Sequence, residues 1–252
     1  MSKNYELLQQ AEFALGSAPT FATGKSSVAA ESVARAGEDA LFVEPAIREE
    51  ALKLVQRLFL NPDQAAPRSV LFAAVDASIG CNWLAAVTAK VLARIVSGSV
   101  CLVEGNFRSP SLPGMLGVDS DRGFVDALRQ EGPLREFARQ SVPDNLWVLP
   151  SGVPVPDSTV LLNSDPMKER FGQLRTEFDY VVVNAPSLVA FADGIILGRM
   201  VDGVVLVLEA NATRREAAVR VTENLRAANI PVLGAVLNNR TFPIPAAVYK
   251  RF

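Results

Sequence analysis

Six short apolar runs recur along the chain, each followed by a segment of helical or loop character. They are "SVLFAAV", "SVCLVEG", "NLWVLPSG", "DYVVVNAP", "DGVVLVLEA" and "PVLGAVLNNR". A strand exposed on one face alternates apolar and polar residues. A near-continuous Val/Leu run instead marks a strand buried on both faces, which is the condition of a parallel sheet under helices. The intervening segments "LAAVTAKVLARIV", "GFVDALRQ", "DPMKERFGQLRTEF" and "RREAAVRVTENLRAAN" carry apolar residues at helical spacing. Glu216 and Arg220 support the last of these at i,i+4. The pattern predicts an α/β, doubly wound, mostly parallel sheet with strands near 70–75, 100–104, 146–149, 180–184, 203–208 and 232–237. Open sheets of this kind place ligands at the carboxyl ends of their strands.

At that edge the stretch "FAAVDASIGCNWLAAV", residues 72–87, is informative. An apolar strand runs into an apolar helix through a loop with one glycine, the usual place for a phosphate-binding loop. Such loops follow the glycine with lysine and a hydroxyl residue, whereas Gly80 is followed by Cys81, Asn82 and Trp83. A second Gly-Lys-Ser, within "TGKSS" at 23–27, has no strand before it and is read as linker.

Four stretches resemble one family. "VLFAAVDASIGCNWLAA", "CLVEGNFRSPSLPGMLGV", "LWVLPSGVPVPDSTVLLNS" and "FDYVVVNAPSLVAFADGIILGRMVDGVVLVLEANATRREA" are similar to the Walker A region, second acidic motif, third-strand segment and Walker B region of bacterial tyrosine kinases. "NYELLQQAE" and "IREEALKLVQRLFL" resemble the family's opening helices. The resemblance implies a P-loop NTPase fold with a deviant Walker A motif. It also implies ATP and magnesium as cofactors, and work beside the membrane co-polymerases of exopolysaccharide and capsule export.

Measured against that family, the positions that carry its chemistry are changed. The Walker A lysine and hydroxyl fall on Cys81 and Asn82, and bulky Trp83 follows. The two aspartates of the second acidic motif fall on Glu104 and Asn106, and the Walker B aspartate on Asn184. Asp76 adds negative charge near the phosphate position. Phosphoryl transfer rests on positioning and charge neutralisation, and an amide is a weaker ligand for hard cations than a carboxylate. Losing the lysine and two metal-site carboxylates removes on the order of 5 kcal/mol, roughly a thousandfold in affinity. Neither ATP nor magnesium is therefore expected to bind, and no catalytic residue is expected. The alternative is a weak ATP-binding autokinase or ATPase that relies on Glu104 and backbone amides.

Other positions are less decisive. Asn238 in "LNNR" matches a base-contacting position of related ATPases, and equally suits a strand-end cap. Asp193 and Asp202 match the family but are read as turn or helix-capping residues. Arg108 reads as a solvated or interface charge, and Cys81 as a small buried side chain. The family's Glu-x-x-Arg-x-x-Arg oligomerisation helix falls on Glu50, Lys53 and Gln56, which lacks the second arginine's fork and leaves homo-oligomerisation open. Active members end in a tyrosine cluster; here Tyr249 stands alone near the end.

Composition narrows the function classes. A formal net charge of −2 argues against a nucleic-acid binder that works by neutralising phosphates. With no histidine and two cysteines, Ser-His and Cys-His pairs and a structural zinc site drop out. No apolar run is long enough to span a membrane, and a cytoplasmic location is expected. The reading divides the chain into an amphipathic helix at 1–16, a flexible linker at 17–45 and a single NTPase-like domain at 46–252. It points to a pseudokinase that binds a membrane polysaccharide co-polymerase or an active kinase paralogue, with residues 1–16 and 242–252 as docking ends.

Overall fold

The computed structural model describes residues 45–61, 66–76 and 80–238. The expected N-terminal helix and linker up to residue 44, the "TGKSS" stretch and the 242–252 end with Tyr249 lie outside the described residues, as do residues 77–79.

The strands are β1 (Ser69–Ala74), β2 (Val100–Glu104), β3 (Arg139–Gln140), β4 (Leu146–Leu149), β5 (Tyr180–Ala185), β6 (Gly203–Glu209) and β7 (Val232–Asn238). The helices are α1 (Pro45–Phe59), α2 (Cys81–Ile95), α3 (Leu112–Leu116), α4 (Phe124–Ala127), α5 (Ser158–Leu162), α6 (Asp165–Glu177), α7 (Asp193–Gly198) and α8 (Arg215–Ala227), with a 3₁₀ turn at Leu134–Glu136. The strands form one sheet in the order β3-β4-β2-β5-β1-β6-β7. Every pairing is parallel except β3 with β4. The expected doubly wound architecture is borne out.

Both faces of the sheet are buried, as the unbroken Val/Leu runs require. Phe72, Leu102, Val182, Val205 and Val207 face α1 and α2. Leu71, Val103, Val183, Val204 and Leu206 face the side of α4, α6, α7 and α8. Helix α1 packs on α2 through Ala51, Val55, Leu58 and Phe59, a stripe at i, i+4, i+7 and i+8. Helix α2 is itself buried on most of its circumference. It begins at Gly80, whose φ of 107° suits glycine at an N-cap.

Three short helices (α3, α5, α7) and the edge strand β3 are additions to the expected pattern. Each is six residues or fewer, too short for apolar periodicity to register.

Candidate functional site

Because β2, β5 and β1 are adjacent and parallel, their carboxyl ends share one edge, and α2 starts from the same edge. Glu104 is the last residue of β2 and lies opposite Asn184 of β5, which in turn lies opposite Phe72 of β1. Glu104 and Asn184 share strand parity with Leu102 and Val182, which places both on the α2 face.

The Glu104 side chain is fully buried and accepts four hydrogen bonds. Its Oε1 takes the Asn106 N–H at 3.0 Å and the Asn184 Nδ2 at 2.9 Å. Its Oε2 takes the Ser111 N–H at 2.7 Å and the Leu112 N–H at 2.8 Å. A carboxylate offers about four lone-pair directions, so both oxygens are saturated. Burial pushes the Glu104 carboxyl above its ordinary range, and the four donors pull part of that shift back. Asn184 is buried too, and its Oδ1 has no hydrogen-bond partner among the described residues.

The neighbouring expected positions are turned to structural contacts. Asn106 Oδ1 accepts the Ser109 N–H at 3.2 Å. Asn82 donates from Nδ2 to Ser111 Oγ at 3.1 Å, and its Oδ1 accepts the Trp83 N–H at 2.9 Å. Trp83 is buried in the cluster between the sheet and α1/α2. The Cys81 thiol is buried, and burial pushes it up to about 12, with the Glu104 charge adding in the same direction. A thiol held protonated is neither a nucleophile nor a metal ligand. Asp76 Oδ1 accepts from the Thr213 hydroxyl at 3.2 Å, which ties it to the β6–α8 connection.

The remaining positions lie apart from this group. Asn238 ends β7, separated from β5 by β1 and β6; its carbonyl accepts the Ala210 N–H at 2.9 Å. Glu50 and Lys53 form an exposed 2.9 Å ion pair on α1, and Gln56 is exposed on the same helix.

Arg108, expected as a solvated or interface charge, is instead paired with a buried carboxylate. Its guanidinium bonds Asp193 from Nε at 3.0 Å and from Nη2 at 3.2 Å, and donates to Thr159 Oγ1 at 2.9 Å and to the Pro156 carbonyl. It also stacks over the Phe191 ring, 4.9 Å from the centroid. Asp193 is fully buried and also accepts from the Ser158 and Thr159 hydroxyls. Its carboxylate therefore joins the loop after β2 and the first turn of α5 to the start of α7 instead of capping α7. Asp202 does not hold a local turn or cap a helix either: it accepts the Arg68 and Ser69 N–H groups at 2.9 Å each beside Arg175, which ties the chain before β6 to the start of β1.

Ser111 and Leu112 carry no side-chain signal for this role, because what they give Glu104 is a backbone N–H. The one sequence signal available was Ser111 before Leu112-Pro113, a helix-start pattern with proline in the first turn.

Comparison with known proteins agrees with this architecture. No family model matches the chain. The tyrosine-protein kinase YwqD of Bacillus subtilis is 29% identical over 173 residues, 69% of this chain and 73% of that protein. The tyrosine-protein kinase Wzc of Salmonella typhi is 26% identical over 180 residues, 70% of this chain and 24% of that longer protein. The crystal structure of the chimerical protein CapA2B2 superposes with a TM-score of 0.72 at 18% identity, covering 93% of this chain and 99% of the other. A ParA family ATPase from Chlorobium tepidum superposes with a TM-score of 0.54 at 14% identity, over 69% and 74% of the two chains. At those identities the structures speak for the fold alone, a P-loop NTPase fold. The homologues of this chain are bacterial tyrosine-protein kinases, as the four motif stretches imply.

Proposed function

We propose that this chain is a non-catalytic relative of the bacterial tyrosine kinases, a pseudokinase retained as a binding module. The observation that carries the reading is the saturation of Glu104. Of the positions matching the family's acidic metal-site residues, Glu104 alone keeps a carboxylate, and it already accepts four protein hydrogen bonds, one of them from the amide at the Walker B position. A magnesium ion fits this group poorly. It requires near-octahedral oxygen ligation and binds through carboxylates, while Asn184 offers a neutral amide and Glu104 has no vacant lone pair. A triphosphate fits no better, with a buried thiol at the lysine position.

The weak-kinase alternative requires Glu104 to give up at least one N–H donor before it touches a cation. Breaking a charge-assisted hydrogen bond costs about 1.5–3 kcal/mol, which weighs against it.

The resemblance supplies the setting: a cytoplasmic component of exopolysaccharide or capsule synthesis, bound to a membrane co-polymerase or to an active kinase paralogue. No described helix is long and apolar enough to cross a membrane, so in this reading a partner recruits the chain to the membrane.

Titration calorimetry of the purified protein with ATP, with and without magnesium, tests the reading. The expected result is no binding below millimolar concentration and no autophosphorylation. Micromolar, magnesium-dependent affinity would overturn it.

A further inference from the structure

The segment that leaves β2 is held in an unusual way. Gly105 donates its N–H to the Asn184 carbonyl at 2.7 Å, and a Cβ on Gly105 would meet that carbonyl oxygen at 2.6 Å. The chain then turns so that Asn106, Ser111 and Leu112 all aim their N–H groups back at one carboxylate. Ser111 stands at the N-cap of α3, where its hydroxyl would ordinarily accept from that helix's first turn. It makes no side-chain cap bond there, and its Oγ instead accepts from Asn82 of α2. The capping acceptor for α3 is the side chain of Glu104, eight residues upstream.

Converging N–H groups at the end of a strand are a common way to hold an anion. Here the anion is covalently part of the chain. We infer that Glu104 is a positioning residue, an internal anion that orders residues 105–112 and starts α3 with no diffusible ligand present. The arrangement links β2, β5, α3 and α2 through Glu104, Asn184, Ser111 and Asn82. These contacts hold Glu104 whether or not the chain is active.

Amide hydrogen exchange on the full-length protein, without nucleotide, tests it. In wild type the Asn106, Ser111 and Leu112 amides should be protected. In Glu104→Ala all three should exchange faster by at least about tenfold, while Leu71, Phe72 and Ala73 in the central strand β1 stay protected. Glu104→Gln, which keeps one acceptor oxygen and the side-chain volume, covers the case in which the alanine variant fails to fold. It should release at least one of the two donor groups, Asn106 or Ser111 with Leu112. Unchanged protection of all three amides in Glu104→Gln, or in a folded Glu104→Ala, would overturn the inference. Magnesium-ATP binding by wild type would defeat the pseudokinase reading and leave this one intact.

Discussion

Glu104 and Asn184 stand opposite each other on neighbouring parallel strands, and the Asn184 amide donates to the Glu104 carboxylate at 2.9 Å. Two carboxylates could not occupy this pair of positions at neutral pH without a bridging proton or cation, because like charges in a buried site repel. One amide removes that requirement and leaves a contact made of protein alone. Its other end, Oδ1, is buried with no partner among the described residues.

The first prediction is therefore that Asn184→Asp destabilises the protein by about 3 kcal/mol at pH 8, the cost of an uncompensated buried charge. The loss should shrink as the pH falls, when the pair takes up a shared proton. Urea unfolding of the variant and wild type at pH 8 and pH 5 measures this. Equal stability differences at the two pH values would count against the repulsion argument.

A second prediction concerns the close approach of the two strands. Gly105→Ala should destabilise by about 1–3 kcal/mol, the usual range for overpacking. The added Cβ would lie 2.6 Å from the Asn184 carbonyl oxygen, with Val183 and Leu197 at 3.0 and 3.1 Å. Gly114→Ala, whose added Cβ meets no described atom within 4 Å beyond its chain neighbours and its own helix backbone, serves as the control. Denaturation midpoints that fail to separate the two variants would contradict the packing account.

The sheet was legible because its signal is local and strong. "DYVVVNAP" and "DGVVLVLEA" admit little besides strands buried on both faces, and they became β5 and β6. The place of Gly80 and the degenerate positions around it was legible for the same reason, since strand, loop and helix follow one another directly. The site's internal bonding was not. Arg108 and Asp193 are 85 residues apart, and an arginine among Ser and Pro residues reads as surface until the fold brings a buried carboxylate to it. Glu104 read as a surviving metal-site charge, because residue types do not reveal that the N–H groups of residues 106, 111 and 112 turn toward it. Backbone donors leave no trace in side-chain chemistry.

The third prediction concerns thiol chemistry. Cys81 is buried and pushed up to about 12, and burial raises Cys101 as well. Neither should form appreciable thiolate at pH 8, so an aromatic disulfide reagent should titrate no thiol in the native protein and both after denaturation. Reaction of Cys81 in the native state at the rate of a free thiol would show that the start of α2 is open to solvent.

The last prediction sets two buried carboxylates against each other. Burial raises Glu104, and its hydrogen bonds do not fully offset that rise. Burial also pushes Asp193 up, but hydrogen bonds from Arg108, Ser158 and Thr159 outweigh it and hold the group below its ordinary value. The signs of the linkage are therefore opposite. Folded Glu104 holds its proton more tightly than the unfolded chain does. Its contribution is fully present below the ordinary glutamate range and declines as the pH rises through the raised value. Folded Asp193 holds its proton less tightly. Its contribution is fully present above the ordinary aspartate range and is lost as the pH falls through the lowered value. Neither Glu104→Gln nor Asp193→Asn titrates at the changed position, so each isolates one of these terms. Unfolding free energies from pH 3 to pH 8 should show the wild-type advantage over Glu104→Gln shrinking as pH rises above roughly 4.3, the ordinary glutamate value. The advantage over Asp193→Asn should instead shrink as pH falls below roughly 3.9, the ordinary aspartate value. If the two differences change with pH in the same direction, one of the carboxylates is not in the environment described.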